Sequence, residues 1–194
     1  TQDYVELLIG HNVAAFIVAA DAPYAQCLTL SELNTVFAPS AQTANWNAVG
    51  AGGIDQALTV IVPAQNSATF AVMDKVVEGD GVRSDAIVQG SDTDVLNAVR
   101  STPGAIGVVN LSVAAAAADG VRTVQVNATD VIGCSAPSAE NVENRSYPAS
   151  DPLFIYANKA SLSKAGLTEA LNFAVSDAAA ASIEGQGFSA ASAA

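Results

Sequence analysis

The run Val13–Ala20 has no polar side chain and is the longest strictly apolar stretch of the chain. Spanning a bilayer takes roughly 20 such residues. A run this short is instead read as a strand apolar on both faces, the kind buried inside a helix-covered sheet. A second extended stretch, Val5–Ile9, precedes it across Gly10-His11-Asn12, which has turn chemistry. Asp21-Ala22-Pro23 breaks the run at its end. Further strand candidates follow along the chain: Leu58–Val62, stopped by Pro63; Ala105–Val109, entered through Thr102-Pro103-Gly104; the alternating Val121–Val126; and Leu153–Tyr156.

Helical patterns lie between these strands. Thr29 opens the first, with Glu32 three residues on as its capping-box partner and Leu30, Leu33, Val36 and Phe37 as one apolar stripe before Pro39. Residues 40–57 form a polar, Gly-rich loop around Trp46, which is expected to pack on its own surroundings. Phe70, Val72, Met73, Val76 and Val77 follow Asn66-Ser67-Ala68-Thr69 at helical spacing. That unit of strand, short polar loop and helix start is where anions bind in α/β folds. Ser91 caps a helix running to Arg100, with Asp92 and Asp94 in its first turn, where the dipole favours them. Leu111–Asp119 is an Ala-rich helix ended by Gly120, Ala139–Asn144 a short one, and Ser161–Ile183 is helical with a break at Gly166. The tail from Gly185 to Ala194 is small and polar and expected to fray. Strands alternating with helices give an α/β fold.

Composition narrows the function. The chain is 51% apolar, which rules out general disorder. With 40 alanines among 194 residues, however, its core must be built from small side chains. The formal charge of −12 repels nucleic acid, and no basic patch offsets it. Scarce lysine with abundant Ala, Ser, Thr and Asn suits an exported protein, and no basic segment followed by an apolar one opens the sequence. His11 is the only histidine and Cys27 and Cys134 the only cysteines, too few for a metal site of that type. The cysteines lie 107 positions apart and are either two separate buried thiols or one long-range disulfide. No G-x-S-x-G nucleophile elbow occurs, and neither Ser67 nor Ser135 has a neighbouring histidine. An enzyme is not expected.

Six segments in order resemble the phosphate-binding periplasmic proteins of ABC phosphate importers, which have a type 2 solute-binding fold. They are Cys27-Leu28-Thr29-Leu30-Ser31-Glu32-Leu33, Asn45-Trp46-Asn47, Asn66-Ser67-Ala68-Thr69-Phe70, Thr102-Pro103-Gly104-Ala105-Ile106-Gly107, Ala136-Pro137-Ser138-Ala139-Glu140-Asn141-Val142, and Pro152-Leu153-Phe154-Ile155-Tyr156-Ala157-Asn158-Lys159. The resemblance implies two α/β lobes joined by crossing strands, with an oxyanion such as phosphate clamped between them. It divides this chain into crossing strands at 1–22, lobe two at 23–146, and a return strand and C-terminal helix of lobe one at 147–194. On that reading the N-terminal part of lobe one, which carries half of the family's phosphate ligands, is missing from this sequence, which is expected to be either an excised part of a longer protein or a reduced relative.

In the family, a Ser-Gly-Thr core at a helix start holds the anion. The resemblance therefore assigns anion binding to Ser67, Ala68 and Thr69, with Ala68 in place of glycine. Pro63 stands where many members carry a binding Arg and Gln65 where many carry an acceptor Asp. Arg83-Ser84-Asp85 matches another branch that supplies its Arg later, which makes Arg83 the expected cationic ligand. His11 stands where some members have an Asp near the ligand. Family members often carry cysteines before the Leu-Thr helix and before the Ala-Pro segment, which implies a Cys27–Cys134 disulfide. The implied partners are phosphate or a similar oxyanion, an ABC permease, and no cofactor or metal; the implied location is extracytoplasmic. A homodimer or strand-exchanged assembly is expected through the exposed strands Val5–Ile9 and Val13–Ala19, which lack sheet neighbours. The alternative is a structural or interaction module that kept the fold and lost tight ligand binding.

Overall fold

A computed structural model describes residues 3–50, 54–117, 119–129 and 131–191. Its central element is β1, Tyr4–Ala19, a single strand of 16 residues. The turn expected at Gly10-His11-Asn12 does not form. Gly10 serves close approach instead: a Cβ there would lie 2.6 Å from the Ser189 carbonyl oxygen of β10 (Ser189–Ala190). The local irregularity is a bulge between Leu8 and Gly10 in the pairing with β9 (Ser150–Asn158). Continuous pairing on both sides of these three residues overrides their turn preference.

Past the bulge β1 enters a different neighbourhood. Ala14–Val18 pair antiparallel with β5 (Ala105–Asn110), and Ile17–Ala19 pair on the other side with β6 (Val121–Thr123). The sheet continues in parallel from β5 to β3 (Thr59–Pro63) and on to β4 (Ile87–Gln89). Val13–Ala19 is therefore interior, and the open edge expected along it is closed.

Alternation along these strands sorts the core into two layers. Phe16 and Val18 of β1, Val60 and Val62 of β3, and Ile106 and Val108 of β5 face one side. There they meet Leu33 and Phe37 of α1 (Leu30–Phe37) and Phe70 and Met73 of α2 (Ala68–Val76). Ala15, Ile17, Ile61, Ala105 and Val109 face the other side, against Val95 and Val99 of α3 (Asp92–Ser101) and Ala114 of α4 (Leu111–Ala116). The cap of α1 forms as read: the Glu32 N–H donates to Thr29 Oγ1 at 3.2 Å and the Thr29 N–H to Glu32 Oε2 at 2.8 Å.

The expected strand Val121–Val126 is divided between two sheets. β6 stays with β1, while β7 (Gln125–Asn127) joins β2 (Cys27–Thr29) and β8 (Cys134–Ser135) in a separate three-stranded sheet. A Cys27–Cys134 disulfide ties the outer two strands, with Cα atoms 5.9 Å apart. The chain then forms α5 (Ala139–Glu143), β9, α6 (Leu167–Ala174) and α7 (Asp177–Gly185) before β10. Gly166, read as a helix break, caps the start of α6 in the left-handed conformation (φ 80°). Part of the tail read as frayed is ordered as β10 on β1; positions 192–194 lie outside the described residues.

Trp46 is fully buried, stacks on Tyr24 with centroids 4.5 Å apart, and donates its indole N–H to the Gly104 carbonyl at 2.9 Å. Gly104 has φ 81°, and a Cβ there would sit 1.9 Å from the Ala57 carbonyl oxygen. Both the backbone conformation and the space exclude a side chain. Gly104→Ala should therefore cost about 2–4 kcal/mol, measured as the shift in urea unfolding free energy. A variant within about 0.5 kcal/mol of the parent would show that this turn is not the fixed point described.

Candidate functional site

The C-terminal ends of β3 and β5 and the start of α3 beyond β4 meet at one edge of the parallel sheet, beside the middle of β1. Such an edge is the usual ligand crevice of an open α/β sheet. Ser67 caps α2 there: its Oγ accepts the Phe70 N–H at 3.1 Å, and its own hydroxyl proton remains to be donated. Among the described residues the N–H groups of Ala68 and Thr69 have no protein partner. They are the first two amides of a nine-residue helix, so they carry the positive end of its dipole.

Thr69 is buried, and its hydroxyl is already engaged. Oγ1 donates to Asp92 Oδ2 at 2.8 Å, and the same carboxylate oxygen accepts the Asn110 N–H at 2.6 Å. Asn110 ends β5; its side-chain amide donates to Asn12 Oδ1 of β1 at 3.0 Å, and its Oδ1 accepts from the Ser112 amide and hydroxyl. One network thus links the starts of α2 and α3, the end of β5 and the centre of β1. Asp92 was legible only as a helix N-terminal charge, and Asn12 only as a turn residue. The signal for Asn110 was its place at a strand-to-helix junction level with Ser67.

Arg83 lies in a different setting. Its side chain is 5% exposed. Nε and Nη2 hold the two oxygens of Asp85 at 2.6 and 2.9 Å, and Nη1 donates to the carbonyls of Val36 at 3.3 Å and Thr43 at 2.7 Å. Every nitrogen of the fork is occupied, and none of these bonds reaches Ser67–Thr69. The bond from Arg83 holds the Asp85 carboxyl below its ordinary range. These contacts tie the loop after α1 to the segment before β4. Pro63 ends β3, and Gln65 follows it in the turn closed by the Ser67 N–H to the Ala64 carbonyl at 2.8 Å. Among the described residues no cluster of three or more His, Cys, Asp or Glu is placed to hold a metal. No helix among them is long and apolar enough to cross a membrane.

His11 sits on β1 opposite Pro152, beside an open cavity of about 470 Å³ shared with Arg145 and Phe154. Its Nδ1 is buried without a partner among the described residues. Burial pushes the imidazole below its ordinary pKa of 6.5; Arg145 adds to this and Glu143 opposes it. Burial thus favours the neutral imidazole in the native state. The stability this contributes is complete above the unfolded-state value and is lost as pH falls below it. The urea midpoint should drop between about pH 7.5 and 5.5, a window in which carboxylates hardly titrate, and drop less in His11→Gln. Equal drops in both proteins would remove His11 as the cause.

The arrangement is an open α/β sheet with two amides unpartnered among the described residues at a helix start, beside the long strand β1. The PBP superfamily domain model matches residues 1–178, and the chain belongs to that superfamily. Protein SphX of Synechocystis sp. is 26% identical over 160 residues, which are 80% of this chain and 47% of SphX. Phosphate-binding protein PstS of Staphylococcus epidermidis is 24% identical over 161 residues, 82% of this chain and 48% of PstS. The chain thus spans about half the length of the curated relatives it matches. The crystal structure of a possible phosphate binding protein from Planctomyces limnophilus superposes with a TM-score of 0.87 at 26% identity, covering 97% of this chain and 68% of that one. The fold is the type 2 periplasmic-binding-protein-like α/β fold.

Proposed function

We propose that this chain is an extracytoplasmic solute-binding protein, or the larger part of one, that takes an inorganic oxyanion of the phosphate type and delivers it to an ABC permease without acting on it chemically. The observation that carries this reading is the pair of unpartnered amides at Ala68 and Thr69, with the Ser67 hydroxyl beside them, at the sheet's crevice edge. Relatives whose names record phosphate binding support the choice of ligand. A disulfide fits an oxidising compartment. Residues 23–146 would form one jaw and 1–22 with 147–194 the hinge and part of the other, closing by rotation about β1 and β9.

The hydrogen-bond directions suit a protonated oxyanion. Thr69 spends its proton on Asp92, which leaves its Oγ1 only lone pairs with which to accept, and Asp92 Oδ1 has no protein partner among the described residues. Hydrogen phosphate brings a donor for these acceptors; sulfate brings none and meets the Asp92 charge unrelieved. Arg83, tied to Asp85, is released to the anion only if that pair opens; the amides are the primary donors.

Affinity in this chain alone should be modest. Each solvent-facing bond competes with water, and the charge of −12 opposes an anion over the distance that salt leaves unscreened, about 10 Å. Titration calorimetry should give a phosphate Kd on the order of 1 mM, with sulfate weaker by about fivefold or more. Thr69→Val should narrow that gap by about 1 kcal/mol. No heat from either anion at about 20 mM, with the fold intact, would refute the reading; equal affinity for both would refute the role of the acceptors.

A further inference from the structure

Asn12 directly precedes the apolar run of β1 and is only 5% exposed. A buried carboxamide is costly unless its carbonyl and its two N–H donors are used. Its neighbours decide which end points where. The Ser112 backbone N–H can only donate, and it donates to Asn110 at 2.9 Å, so the receiving atom is Asn110 Oδ1. The other end of Asn110 is therefore Nδ2, which donates to Asn12 Oδ1 at 3.0 Å. Asn12 Nδ2 is left with two protons and no protein partner among the described residues. The unpartnered side-chain atoms enclosed among those residues are His11 Nδ1, Arg122 Nε and Asn127 Oδ1. Asn12 Nδ2 is not one of them, so it opens onto a space that a ligand atom can reach.

That space adjoins the start of α2. The pairing of β1 with β5 stops at Ala14 and Asn110, where β5 turns into α4, so Asn12 lies one same-face step past the end of β5. Alternate residues of a strand share a face. Ala14, Phe16 and Val18 face the layer that holds α2, and the bulge lies earlier, between Leu8 and Gly10, so Asn12 keeps their phase. The same Asn110 that fixes the Asn12 amide donates its N–H to Asp92, which receives the Thr69 hydroxyl. Asp151, opposite Asn12 on β9, is held by Lys75 of α2.

We propose that Asn12 is a further ligand of the oxyanion, its Nδ2 donating to an oxygen of the same anion that the Ala68 and Thr69 amides hold. The inference rests on the reading of that helix start as the oxyanion site. It adds a donor from β1 to those from α2, and a tetrahedral oxyanion has acceptor oxygens for both. The anion then bridges α2 to the strand about which the two parts of the chain close. An asparagine that only positioned Asn110 would use its carbonyl alone, and its NH₂ group would not sense the anion.

The side-chain amide resonances of Asn12 test this in a ¹⁵N-labelled sample of the whole chain titrated with sodium phosphate at constant ionic strength. Their loss in Asn12→Ala assigns them. The Asn12 NH₂ pair should shift and saturate together with the Ala68 and Thr69 backbone amides, while the Asn34 NH₂ pair, bonded to the Val77 carbonyl, stays still. Asn12→Ala should weaken phosphate binding at least about fivefold, and it should do so again in an Asn110→Ala background. No further loss in that background would make Asn12 a positioning residue acting through Asn110 and would overturn the proposal. Saturating shifts at Ala68 and Thr69 with a motionless Asn12 NH₂ pair in the parent chain would overturn it too, and would leave the helix-start site standing. Shifts at none of the three would refute that site and the Asn12 ligand with it.

Discussion

β1 runs unbroken for 16 residues because its two halves meet different burial demands with one backbone. Beyond Asn12 it is the antiparallel member of a helix-covered sheet and needs apolar side chains on both faces. Before Gly10 it pairs with β9, where its outward positions Tyr4, Glu6 and Leu8 are exposed, and β10 joins it at Gly10 and His11. The transition falls at the bulge, where Gly10 admits the Ser189 carbonyl and Asn12 turns a buried amide toward Asn110. The sheet order, the crevice and the position of β9 all follow from where this strand changes partners.

The crevice depends on that strand as well. The Thr69–Asp92–Asn110–Asn12 network fixes two helix starts against β1, so the free amides of Ala68 and Thr69 have a set orientation. Buried polar groups in such a chain are costly unless paired. Pairing Thr69 with Asp92 settles its burial and also decides whether its hydroxyl offers the crevice a proton or a lone pair. Arg83 shows the opposite outcome, its guanidinium consumed by Asp85 and two carbonyls.

Much of this was legible from spacing. The capping box at Thr29 and Glu32, the Ser67 and Ser91 caps, and the strands ending at Pro63 and beginning at Ala105 rest on local chemistry, and tertiary structure had no reason to override them. The pairing of Cys27 with Cys134 came from family likeness, because spacing alone leaves two thiols unassigned. What local chemistry could not give was competition between partners at long range. Gly10-His11-Asn12 has turn composition, but pairing with β9 and β10 holds it extended. Val121–Val126 alternates evenly, yet the chain leaves one sheet for another at Val124, whose N–H reaches the Phe16 carbonyl. Arg83 and Asp85 lie two residues apart, and only the fold reveals that they choose each other.

The central claim is that the amides opening α2 are an oxyanion site. Backbone amide NMR of a ¹⁵N-labelled sample titrated with phosphate tests it most directly, because it reads each N–H separately. The account predicts that Ala68 and Thr69 shift furthest and saturate together, with Asn110 following through Asp92, while Arg83 and Ser91 move little. Shifts centred on another helix start, or spread evenly over the surface as for a general salt effect, would contradict it.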